Sequence, residues 1–207
     1  MKRRILDATI ASLQRRGLPP LSYDTVAAEL GVTRQAVRYH FPDAEALMIA
    51  VCDRLADAYR AALVRNAARL EGPRRLDMFL DFYFNLLDGV PKPRDDAAYD
   101  AMMSLATGSD AIRDALRGQY TTLGQVMRHE FEVAHPRLDA QAADELSYLF
   151  VCLMYGHWKM VATLGVSAAH NRVTRAAMDR LIRSYCESGV SEDAPGDARV
   201  RVWSTEG

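Results

Sequence analysis

Residues 22–41, SYDTVAAELGVTRQAVRYHF, decide the fold of this 207-residue chain. Val26 and Leu30 stand one helical turn apart, and the small Ala27 beside them lets a second helix cross close to the backbone. Gly31 follows at once, where a left-handed residue ends a helix and turns the chain. Val32 plugs the turn, and Thr33 offers a hydroxyl to the orphan amides of a new helix. On that second helix Val37 and Phe41, four apart, point back at Val26 and Leu30. Its outward residues are Arg34, Gln35, Arg38 and Tyr39. Two guanidinium groups, an amide and a phenol are groups that read base edges and grip phosphates. The pattern is a helix-turn-helix. An ordinary αα-hairpin with a glycine turn shares part of it, but here the buried offsets and the polar outer face agree independently.

Charge points the same way. Residues 1–42 hold seven Lys or Arg (Lys2, Arg3, Arg4, Arg15, Arg16, Arg34, Arg38) against three acids (Asp7, Asp24, Glu29), a balance of +4. The whole chain carries 26 basic and 27 acidic residues, so the remainder holds 19 and 24, a balance of −5. A basic head on an acidic body suits a protein that presents one end to a polyanion. In this reading Lys2, Arg3 and Arg4 form an arm at the flank of the duplex.

Outward from the head, nearly every segment reads as helix. Leu6, Ile10 and Leu13 mark the stripe of a first helix, closed by Gly17 before Pro19-Pro20. Pro42-Asp43 breaks the chain and caps a helix from Ala44 to about Leu70, with Leu47, Val51, Leu55, Tyr59 and Leu63 inward. Further helices are expected over 74–88, 96–106, 110–134 and 140–164, and from Asn171 to Ser188. Period-2 strand signals of any length and internal repeats are absent. The expected fold is all-α: a three-helix helix-turn-helix head (1–46), a helical effector-binding and dimerisation bundle (47–189), and a tail expected to be disordered (190–207).

At 49% hydrophobic residues the chain has ample material for a core. It has no apolar run of membrane-spanning length and no secretory leader at its start, so the cytoplasm is the expected compartment. Cys52, Cys152 and Cys186 are three widely spaced cysteines, read as buried reduced thiols and not as a disulfide framework or a zinc knuckle. His129 and His135 flank a faint zinc-protease likeness, yet residues six apart lie about 240° around a helix, whereas zinc needs the i, i+4 pair. No cofactor, metal or catalytic residue is expected, and the chain is not read as an enzyme.

The run from Ser22 to Val51 resembles the TetR-type bacterial transcriptional regulators. That resemblance implies a head that binds double-stranded operator DNA, a body with a small-molecule pocket, and two last long helices that pair subunits into a homodimer. Carried over by position, Thr33, Arg34, Gln35, Ala36, Arg38, Tyr39 and His40 fall on the recognition helix, and Ser22 and Tyr23 lie near the sugar-phosphate backbone. Gln35 stands where a glycine is common, Arg38 where a tyrosine is common, and Ala44 where a phosphate-contacting lysine is common.

The helix over 146–164 supports pairing: Leu146, Leu149, Phe150, Leu153 and His157 share one face, and Tyr148, Cys152, Tyr155 and Lys159 share another. Met78, Phe82, Tyr99, Met102, Met103, Tyr120, Met127, Tyr155 and Trp158 are the candidate pocket residues, being aromatic or Met on helices around the bundle interior. The expected function is a ligand-responsive repressor that binds a palindromic operator as a dimer and is released by a small molecule. The alternative is an effector-binding or protein-interaction module whose head has lost DNA contact.

Overall fold

A computed structural model describes residues 1–16, 23–67, 73–90, 95–188 and Trp203. Among these residues there is no β-strand, and nine α-helices follow one another: α1 (Lys2–Arg16), α2 (Tyr23–Leu30), α3 (Arg34–His40), α4 (Ala44–Ala67), α5 (Pro73–Tyr83), α6 (Asp96–Leu105), α7 (Asp110–Ala134), α8 (Ala140–Trp158) and α9 (His170–Ser188). They fall into two compact units, Met1–Ala61 with Pro93–Gln119 and Ala62–Lys92 with Tyr120–Gly207. This division does not follow the sequence-based boundary at 46/47. α6 and the first part of α7 are compact with the head, and α4 and α7 each have residues in both units.

In the first unit α1 packs on α2 and α6, and α2 on α3. The buried stripe of α1 is rotated from the expected one. Ile5, Thr9, Ser12 and Leu13 are buried, while Leu6 and Ile10 are only half-buried. Thr9 can sit inside because its hydroxyl donates to the Ile5 carbonyl at 2.8 Å. Arg15 and Glu29, 2.8 Å apart, tie α1 to α2. Val26, Ala27, Val37 and Phe41 close the head's core together with Leu47 and Val51 from α4.

Both expected helix starts are capped. Thr33 Oγ1 accepts from the Ala36 amide at 3.2 Å, and Asp43 Oδ1 accepts from the Ala46 amide at 2.7 Å. Removing the first cap leaves an orphan amide at the end of a seven-residue helix. Thr33→Ala is therefore expected to cost about 1 kcal/mol of stability, read as a lowered midpoint in urea unfolding.

The second unit is built on a cluster of buried aromatic rings. Phe150 of α8 meets Tyr83 and Phe84 edge-on, with ring centroids 5.5 and 6.0 Å away. Phe82, Phe131, Met127, Leu146 and Met178 are fully buried in the same unit. Charges that enter it are paired: Arg75 with the buried Glu130 at 2.7 Å, and Arg175 with Asp77, Asp81 and Asp179.

Several expectations are corrected here. α5 stops at Tyr83 and not near 88, because Asn85 takes a left-handed conformation (φ 54°), which asparagine tolerates better than most residues. α8 stops at Trp158, and a π-helical turn over Lys159–Thr163 takes up the rest of the expected helix before Gly165 (φ 71°) ends it. Cys52 is buried, and burial pushes its thiol up to about 12, but Cys152 and Cys186 are exposed. They stand on the outward sides of α8 and α9, where no core covers them. The expected carboxy-terminal tail lies outside the described residues except for Trp203.

Candidate nucleic-acid interface

The head's geometry follows from one turn. Gly31 adopts φ 63°, a region that costs a side-chain-bearing residue strain, and its backbone reversal sends α3 off α2 within three residues. With Val37 and Phe41 turned inward, the opposite face of α3 is open. Arg34, Gln35, Arg38 and Tyr39 line an open concavity of about 760 Å³ there. Tyr39 is 85% exposed, which is unusual for a large aromatic side chain on a rigid helix. His40 beside it is half-buried, its ring edge-on to Tyr39 at 5.2 Å.

Arg34 is held loosely. Its Nη1 lies 3.5 Å from Asp24 Oδ2, and both side chains are mostly exposed. Such a pair is worth well under about 1 kcal/mol, so the guanidinium is available to another partner. Arg38 is exposed, and Ala36 is half-buried with its amide given to Thr33. At the amino terminus Lys2, Arg3 and Arg4 are all exposed. Lys2 stands 6.0 Å from the centroid of the Phe41 ring, which brings it to the carboxy-terminal end of α3. Arg3 is 3.8 Å from Asp7, an exposed i, i+4 pair.

Tyr23 has a structural duty. Its hydroxyl donates to the Phe41 carbonyl at 2.9 Å, stapling the start of α2 to the cap of α3. Burial raises its phenol above the ordinary value, with Asp43 adding to the rise and Arg38 and Arg34 opposing it. The phenol therefore sits within the field of both Arg34 and Arg38. Ser22, its neighbour in the expected backbone contact, lies outside the described residues. Two acids flank this surface: Asp43, expected as the cap of α4, and Asp24, which the sequence does not mark, because an acid in the first turn of a helix is an ordinary helix-start residue.

The nine candidate pocket residues divide between the two units. Tyr99, Met102 and Met103 belong to the first; Met78, Phe82, Tyr120, Met127, Tyr155 and Trp158 belong to the second. In the first, Tyr99 meets Tyr59 edge-on at 6.4 Å, and the Met102 thioether sulfur lies 2.7 Å from the Cys52 sulfur in a buried contact. In the second, Met78, Phe82 and Met127 are core, and the Trp158 indole N–H donates to the Tyr83 carbonyl at 2.9 Å. Tyr120 and Tyr155 are half-buried and edge-on at 6.3 Å, with Lys159 Nζ 4.8 Å from the Tyr155 ring centroid. His157 is buried between α8 and α9, its Nε2 3.0 Å from Asn171 Oδ1 and its Nδ1 2.9 Å from Thr174 Oγ1.

The family "Bacterial regulatory proteins, tetR family" matches residues 5–51, the span of α1 to the first turns of α4. No curated protein gives a significant match. Among solved structures, a protein from Saccharomonospora viridis described as a transcriptional regulator in complex with choline shares the fold (TM-score 0.73, 22% identity, 88% of this chain and 95% of that one). So does a TetR transcription regulator from Haloarcula marismortui (TM-score 0.74, 18% identity, 88% and 96%). A third is the multidrug binding protein EbrR complexed with imidazole (TM-score 0.64, 22% identity, 87% and 93%).

Proposed function

We propose that this chain, whose residues 5–51 match the tetR family of bacterial regulatory proteins, is a dimeric, cytoplasmic transcriptional repressor released from a palindromic operator by a small organic molecule. The observation that carries this reading is the outward face of α3, where Arg34, Gln35, Arg38 and Tyr39 stand together in the open. The first turn of such a helix faces base edges in the major groove. Arg34 and Gln35 are there to read, since an arginine can bond guanine O6 and N7 and a glutamine can bond adenine. Arg38 and Tyr39 hold phosphates, with Lys2, Arg3 and Arg4 adding charge at the flank.

One head covers too few base pairs for selective binding, so two act together. Half-sites one turn of DNA apart, about 34–36 Å, fit a two-fold pair. The outward side of α8 supports such pairing: Tyr148 is 48% exposed, Cys152 is exposed, and Gly156 has open space before it. Choline and imidazole in two structural relatives support a small-molecule signal. Such a signal acts by favouring one spacing of the heads, typically with about 1–3 kcal/mol of coupling, and α4 is the element through which it reaches them.

The test is duplex binding as a function of salt, using a palindrome from the gap between this protein's gene and its neighbours. Affinity is expected to fall linearly on logarithmic axes, by about 0.9 in slope per phosphate neutralised. Lys2→Ala should weaken binding to all duplexes alike and reduce the slope by about 1. A protein that ignores every duplex at low ionic strength, or sediments as a single subunit at micromolar concentration, is not the regulator described.

A further inference from the structure

Trp203 is the one described residue beyond Ser188, and three neighbours hold it. Its indole N–H donates to Ser147 Oγ of α8 at 2.7 Å. Its ring stands 6.0 Å from that of Tyr148, tilted by 58°. On α7 the ring lies directly over Gly124, where a Cβ would overlap the indole atoms Cε2, Cζ2 and Cδ2. All four residues belong to the second compact unit.

The three partners match an indole in chemistry as well as shape. Ser147 is fully buried, and its hydroxyl proton is given to the Asp144 carbonyl at 2.7 Å, which leaves a lone pair to accept the indole N–H. Tyr148 supplies an aromatic wall, and Gly124 a floor with no side chain. A glycine inside a long helix is disfavoured relative to alanine, so its place there calls for a reason. A Cβ at Gly118 on the same helix or at Gly156 on α8 would meet nothing within 4 Å, whereas one at Gly124 would run into the indole.

We propose that Gly124, Ser147 and Tyr148 form a docking slot for the carboxy-terminal segment of the same chain, occupied by Trp203. Trp203 then ties α7 to α8 through one indole, beside Tyr148 at the start of the exposed α8 stripe. An indole is suited to this because it offers a broad apolar face with a single polar edge.

The test sets helix propensity against the slot in the full-length chain. In the wild-type background Gly124→Ala is expected to lower the melting temperature, because the new Cβ expels the indole. In the Trp203→Ala background the same substitution should raise it by about 2–4 °C, since only the propensity of the helix then acts. Gly124→Ala should also raise the acrylamide quenching of tryptophan emission, as Trp158 stays buried and Trp203 is released. Trypsin should cut after Arg201 several-fold faster in both single variants than in the wild type. An equal rise in melting temperature in both backgrounds, with unchanged quenching, overturns the proposal. Protection of Arg201 that disappears on dilution overturns it too, by placing a second copy's tail in the slot.

Discussion

Arg34→Ala is expected to flatten sequence preference while leaving the fold intact. Each good bidentate contact to a base separates the right pair from the wrong one by about 1–3 kcal/mol, so the preference for the operator over a duplex altered at the Arg34 position should drop by about 5- to 150-fold. Non-specific binding should change far less, because Lys2, Arg3, Arg4 and Arg38 still face the polyanion. Stability supplies the control. The Arg34–Asp24 pair, at 3.5 Å with both side chains mostly exposed, contributes well under about 1 kcal/mol, so the melting temperature should hardly move. Competition binding with operator and altered duplexes at matched salt checks this. A preference unchanged by the substitution would take Arg34 out of base reading and leave it a phosphate contact at most.

The second large effect is on stability. Phe150 is completely buried and edge-on to two rings, so Phe150→Ala removes its apolar area, two aromatic contacts and the filler of a well-packed space. A loss of about 3–5 kcal/mol is expected. For a chain of this size that corresponds to a fall in melting temperature of roughly 6–20 °C. Urea unfolding followed by circular dichroism measures it, and a loss below about 1 kcal/mol would mean that the site collapses around the missing ring. The contrast with Thr33→Ala is instructive: a single capping hydrogen bond governs one short helix, while Phe150 holds the centre of a unit.

Much of the head could be read locally because its determinants are local. Gly31 turns the backbone at its own position, Thr33 and Asp43 cap amides three residues on, and each does in the structure what its type and position predict. Of the α4 stripe Leu47, Val51, Leu55, Tyr59 and Leu63, all are buried as the spacing requires except Tyr59, which is half-buried with its hydroxyl 2.9 Å from Asp95. The stripe of α1 was misread because periodicity weighs apolar residues and passes over Thr9, which hides its hydroxyl on its own helix. The end of α8 was misread for a related reason, since a widened π-helical turn leaves no mark in the hydrophobic pattern. Tyr23 shows the limit for site residues. Its position beside α3 is legible, but its hydroxyl is given to Phe41, eighteen residues away.

Local sequence is enough to set the all-helical fold, the turn that separates α2 from α3, and the polar groups that α3 turns outward. These depend on backbone preference and on spacing along one helix, which a single stretch of chain contains in full. Tertiary structure alone decided that His157 is shared between Asn171 and Thr174, that the candidate pocket residues divide between two units, and that Trp203 rests on Gly124. Each of those facts joins residues distant in the chain, and long-range packing sets such neighbours where no local period can register them.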